Sequence, residues 1–158
     1  MSKWLLYNIT LAFAVYWASN LLLWFPWSYS TWLGITLMLT VTPVFWASAI
    51  FLCLKTFPGK NIWSSAIYSS IVFVLLAVVL DYFFFAIIRG AKEELYHPTT
   101  FYGYGFVVVL PFIMTSVFKR RIIRLKKDTT STAFIKAGAV GLFCLAVLVA
   151  IIILKIEM

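Results

Sequence analysis

The sequence predicts an all-α fold, a polytopic membrane bundle of about five spans, and three observations predict it. Hydrophobic residues make up 64% of the 158 and charged residues only 11%, whereas a water-facing domain is about half apolar and about a quarter charged. The apolar residues gather into long stretches at 4–25, 31–54, 62–88, 100–118 and 133–154. Each is near the roughly 20 residues needed to cross about 30 Å of hydrocarbon at about 1.5 Å per residue. Finally, the basic residues are distributed unequally between the links. Strands are excluded, because membrane strands are alternating segments of about ten residues and these runs neither alternate nor stop so soon. The whole chain, 1–158, reads as one membrane domain with no room for a soluble one.

The first stretch follows Met1-Ser2-Lys3 and stays apolar to Phe25. That is too long for a signal core, and no small-x-small site closes it, so it reads as an uncleaved span. Pro26 is expected to end it, with Trp27, Ser28 and Tyr29 as a tight turn. The second span carries Pro43 near its middle. The link 55–61 contains Pro58 and Gly59 and is a turn. The third span runs to residue 88 and is followed by the polar segment Arg89 to Pro98. Thr99 or Thr100 is expected to cap the fourth span, which contains Pro111. A basic run, Lys119 to Lys127, then leads to the fifth span. There Ala133, Ala137 and Gly141 form a small face suited to close packing, within the chain or between copies.

Five spans bring the N-terminus and the links 55–61 and 119–132 to one side. Ten of the thirteen basic residues lie there: Lys3, Lys55, Lys60, Lys119, Arg120, Arg121, Arg124, Lys126, Lys127 and Lys136. The other side has Arg89, Lys92 and Lys155. The positive-inside rule therefore predicts N-in, C-out, in the cell inner or plasma membrane. A four-span arrangement would return the C-terminus to the cytoplasm. Trp24, Trp27, Tyr29 and Trp32 are expected to anchor the outer interface, and Trp4, Tyr7 and Trp63 the inner one.

The net charge of +8 would suggest nucleic acid in a soluble protein. Here it follows from topology, and no nucleic-acid partner is expected. The bilayer is the primary partner. The run Lys119, Arg120, Arg121, Arg124, Lys126 and Lys127 is expected to meet anionic lipid head groups. Cys53 and Cys144 lie at different expected depths, so no disulfide is expected. With two cysteines and one histidine, no metal site is expected either.

Asp81 is the residue around which a site can form. It lies about 10 Å inside the outer end of span three. A carboxylate there costs about 2.5–3.5 kcal/mol and needs a partner, water or a proton. Counting from the outer span ends puts Asn20, Thr36 and Tyr104 at a similar level, with Tyr16 and Thr40 one turn deeper. Arg89, two turns beyond Asp81, is expected to cap this pocket. In the outer loop Glu93 and His97 have the spacing of one helical face, and Glu94 adds a second acid. His97 precedes Pro98, however, and is biased towards extended backbone. Tyr102-Gly103-Tyr104-Gly105 is not a potassium filter, because Thr is missing two places before Gly103. Small-residue packing is its expected role.

No phosphate loop, nucleophile elbow, haem histidine pair or pair of intramembrane aspartates is present, and no cofactor is expected. The expected function is a non-enzymatic small-solute or ion pathway, or a ligand-binding membrane subunit, centred on an outward polar pocket at Asp81. The alternatives are an accessory or immunity-type protein that binds another membrane protein or itself, and a lipid- or envelope-modifying enzyme.

Overall fold

The computed structural model of the chain describes residues 1–154, without the side chains of Phe25, Trp27, Ser28 and Glu94. Lys155 therefore lies outside the described residues. Five helices are long and apolar enough to cross a membrane, and no strand occurs among the described residues. They are α1 (Ser2–Tyr29), α2 (Thr31–Lys55), α3 (Ile62–Asp81), α4 (Pro98–Arg124) and α5 (Ser131–Ile153). A π-helical stretch, Tyr82–Ile88, extends α3, and a short 3₁₀ turn, Lys92–Tyr96, precedes α4.

The ends of these helices depart from expectation at three points. Pro26 does not end α1. A proline forfeits its own N–H but keeps its carbonyl, and the Pro26 carbonyl accepts from Ser30 N at 2.9 Å. Ser30 alone makes the corner, extended at φ −155, ψ 119, with its hydroxyl capping α2 through Leu33 N. Secondly, α4 starts earlier than expected. His97 is its cap, extended at φ −67, ψ 138, with Pro98 as first helical residue, the position that proline favours. Thirdly, α4 runs through the basic residues as far as Arg124, since Lys and Arg are good helix formers. Asn61 and Thr130 cap α3 and α5 through Trp63 N and Ala133 N.

Helix α1 is the hub and packs on α2, α3 and α5, while α4 packs on α3 and α2. The α1–α5 contact uses the expected small face. Ala137, Gly141, Cys144 and Leu148 are buried along one stripe of α5. A Cβ on Gly141 would lie 2.6 Å from the Phe13 ring and 3.0 Å from Ala14 Cα. Only glycine lets the two backbones come this close. Gly103 and Gly105 behave otherwise: a Cβ on either would meet nothing within 4 Å. The expected packing role at the start of α4 is therefore not made within the chain.

On α3 every fourth residue from Ser65 to Asp81 is buried: Ser65, Ser69, Phe73, Ala77 and Asp81. This stripe is the seam of the bundle. Near one end Asn8 of α1 donates to Ser69 Oγ at 3.1 Å. Near the other lies Asp81.

The N-terminus, the 55–61 link and the end of α4 meet at one end of the molecule. Trp4 donates to the Cys53 carbonyl at 2.9 Å and stands edge-on to Phe57 at 4.8 Å. Lys126 Nζ donates to the Gly59 carbonyl at 2.7 Å, and Lys127 N to the Lys55 carbonyl at 3.1 Å. Trp4 and Tyr7, expected as interfacial anchors, are instead buried in the core, because the indole finds a carbonyl partner inside. Tyr29, Trp32 and Trp63 are exposed as an anchor requires. Cys53 and Cys144 are both buried and unbridged.

Candidate functional site

Three helices converge on Asp81. Its Oδ1 accepts from the Tyr16 hydroxyl of α1 at 2.6 Å. Its Oδ2 accepts from the Tyr104 hydroxyl of α4 at 2.7 Å. Asp81 is 9% exposed and Tyr16 is 4% exposed, whereas Tyr104 is half-buried. Both distances suit a hydroxyl bonded to a carboxylate. Among the described residues no basic side chain pairs with Asp81. The site is thus a carboxyl clamped by two phenols, tightly buried on the α1 side and more open on the α4 side.

Local structure explains how these groups meet. Asp81 ends the regular part of α3, and the chain then widens into the π-helical stretch. Such stretches are rare and occur frequently at functional sites. The widened turn carries Phe84 inward, where it is fully buried against Trp17 and Trp24 of α1, ring centroids 5.9 and 6.1 Å away. Trp17 in turn stands edge-on to the Tyr16 ring, centroids 5.1 Å apart. Gly90 closes the stretch at φ +66, a left-handed conformation that glycine adopts at no steric cost.

Of the residues grouped with Asp81 by depth, Tyr104 joins it directly. Asn20 stands beside it, its amide donating to the Tyr16 carbonyl at 3.0 Å. Thr36 does not join: it is exposed on α2 and bonded to the Trp32 carbonyl at 2.8 Å, and Thr40 in turn bonds the Thr36 carbonyl. Arg89 is not on the carboxylate either. Its guanidinium lies over the rings of Trp24, Phe84 and Phe85 at 5.4, 6.0 and 5.9 Å. The reason is the π-helical stretch, which removes the regular two-turn alignment of Arg89 with Asp81.

Tyr16 is the partner that depth counting set one turn too deep. Neighbouring spans do not end at equal heights, so equal counts from their ends do not give equal levels. A signal for it was present nonetheless: a phenol in the middle of an apolar span needs a hydrogen-bond partner when buried, and Asp81 is the one acid inside a span.

In the outer segment Glu93 and His97 do not share a helical face, because the 3₁₀ turn ends at Tyr96 and His97 is extended. The His97 ring is 2.7 Å from Thr99 Oγ1 and caps α4 through Thr99 N. No carboxylate is its partner among the described residues, and the Glu94 side chain lies outside them. No group of metal-binding side chains occurs among the described residues. Lys119, Arg120, Arg121, Arg124, Lys126 and Lys127 are all exposed at the end of α4 and just beyond it.

No family model, curated protein or solved structure matches the chain.

Proposed function

We propose that this chain is a five-span protein of the cell inner or plasma membrane, N-terminus in the cytoplasm and C-terminus outside. Asp81 is its proton-binding centre, in a non-enzymatic membrane subunit that handles an ion or small solute. The observation that carries this reading is a buried carboxyl held by two hydroxyls and, among the described residues, by no cation. A charged Asp inside hydrocarbon costs about 2.5–3.5 kcal/mol. Each phenol offsets about 0.6–1.7 kcal/mol of that. The remainder is relieved when the carboxyl takes a proton.

The asymmetry of the clamp indicates which oxygen takes it. Once protonated, an oxygen becomes a donor, and its tyrosine must turn from donor to acceptor. Tyr16 is buried, so its hydroxyl has little access to any partner from outside the site. Tyr104 is half-buried and its hydroxyl can turn outward. Protonation therefore falls on Oδ2, where the Tyr104 contact becomes a weaker neutral hydrogen bond, while the Tyr16 contact with Oδ1 stays made. The exchange is open to the outer side under the proposed orientation.

Infrared difference spectroscopy of the reconstituted protein tests this. Between acidic and strongly alkaline buffer, a protonated-carboxyl band should disappear, and it should be missing throughout in Asp81→Asn. A band that never titrates, or one that persists in Asp81→Asn, defeats the reading. Orientation is checked separately. A reporter active only in the cytoplasm should be silent when fused after Met158. In this orientation the basic end of α4 lies against anionic lipid head groups.

One observation favours a second reading, an accessory protein that binds another membrane protein. Gly105 leaves an unfilled notch on α4 among exposed Phe101, Tyr102 and Val109. Small residues of this kind accept a partner helix. Under this reading, Gly105→Leu abolishes co-purification of a partner and leaves the carboxyl band unchanged.

A further inference from the structure

At the basic end, the 55–61 link and the last turns of α4 enclose a cleft of about 100 Å³. Its floor is apolar: Leu54, Phe57, Ile62 and Ile122. Its rim carries two cations from different elements, Lys60 of the link and Lys126 just after α4. The cleft is braced, because Lys126 Nζ donates to the Gly59 carbonyl and Lys127 N to the Lys55 carbonyl. A lysine ammonium has three N–H donors, so Lys126 keeps two for a ligand while it holds the link. Arg121 and Arg124, exposed on α4, strengthen the positive field.

This juxtaposition of an oily floor and a cationic rim suits a molecule with one apolar end and one anionic end. We propose that the cleft binds one anionic phospholipid, with its phosphate between Lys60 and Lys126 and the head of an acyl chain over Leu54, Phe57, Ile62 and Ile122. The site differs from general attraction of the basic run to a charged surface. It uses Lys60, which is remote in sequence from that run, and it does not use Lys119 or Arg120. Basic pockets between spans are a recognised means of holding anionic head groups. The proposal rests on the reading that this end of the bundle lies at the membrane surface.

The test uses the full chain purified in an uncharged detergent, with bound lipid measured by native mass spectrometry. The ligands are phosphatidylglycerol, phosphatidylcholine and glycerol 3-phosphate. The wild type should retain one phosphatidylglycerol about tenfold better than phosphatidylcholine, and should not retain the bare phosphate. Lys60→Gln with Lys126→Gln should lower retention about tenfold. Lys119→Gln with Arg120→Gln removes the same charge outside the cleft and should lower retention by no more than about twofold. Ile123 lines the cleft from an exposed position, so Ile123→Trp should block it with every charge in place.

Equal losses from the two charge-removing pairs would reduce the effect to diffuse electrostatics and overturn the site. So would undiminished retention by Lys60→Gln with Lys126→Gln or by Ile123→Trp. Equal binding of phosphatidylcholine, or binding of glycerol 3-phosphate as tight as that of the lipid, would also overturn it. The measurement is made in detergent, so an inverted topology leaves its outcome unchanged and is revealed by the C-terminal reporter alone.

Discussion

The two sides of α1 are joined to their neighbours by different physics. Towards α5 the contact is steric: Gly141 brings the helix backbones together over Phe13 and Ala14. Towards α3 it is polar, with Asn8 on Ser69 and Tyr16 on Asp81. In hydrocarbon, helices gain nothing from hiding apolar surface from water, so close packing and hydrogen bonds are what remain to hold them. The steric side cannot respond to a proton. The polar side can, because one of its acceptors ionises. If the proton falls on Oδ2 as proposed, α4 can shift on α3 while α1 keeps its contacts with α3 and α5.

The steric side can be broken most severely. Gly141→Leu drives a branched side chain into the α1 backbone, and overpacking of this kind costs about 3 kcal/mol. Thermal unfolding in detergent should show the largest loss of any variant considered, and a cysteine pair across α1 and α5 should cross-link poorly. The carboxyl band of Asp81 should survive. Its disappearance in a still-folded Gly141→Leu protein would mean that the two sides of α1 are not independent.

The polar side comes next. Asp81→Ala strands two hydroxyls and costs about 2 kcal/mol. Asp81→Asn keeps an acceptor for one phenol and offers a donor to the other, so it should cost under about 1 kcal/mol and still lose every proton-linked response. That split between stability and titration separates a proton site from a mere clamp. Equal destabilisation by Ala and Asn would indicate that the negative charge itself holds the helices. The two phenols should also differ. Tyr16→Phe, in the enclosed half of the clamp, should cost about 1.5 kcal/mol. Tyr104→Phe should cost about 0.6 kcal/mol, because that phenol is only half-buried, and it should change the titration more than the stability.

This contrast also marks what a reader of the sequence could find. The helices themselves were legible, since five long apolar runs have few alternatives in lipid. Asp81 was legible because an acid in such a run is costly. Tyr104 was legible from its level. The rotation of each helix was not. Spans that are apolar all round carry no amphipathic stripe to show which face turns inward, so counting from span ends groups Thr36 with Asp81 although it is exposed on α2, and places Tyr16 too deep. The π-helical stretch after Asp81 has no glycine, proline or other sequence mark, and it is what carries Arg89 away from the carboxylate to the rings of Trp24, Phe84 and Phe85. Gly141 could be read as a small-residue contact, but its partner, α1, could not.

The smallest effect belongs to the neutral polar contact on the same face of α1. Asn8 donates to Ser69 Oγ, but Asn8 Oδ1 has no partner among the described residues although it is fully buried. A half-satisfied amide loses much of what its one hydrogen bond contributes, and replacing both members with apolar groups of similar shape is nearly neutral. Asn8→Leu with Ser69→Ala should therefore shift stability by no more than about 0.5 kcal/mol, against about 2 kcal/mol for Asp81→Ala three turns along the same seam. Unfolding of the two proteins side by side checks the ranking. A large loss from the Asn8–Ser69 double variant would make the neutral contact the true fastener of α1 to α3.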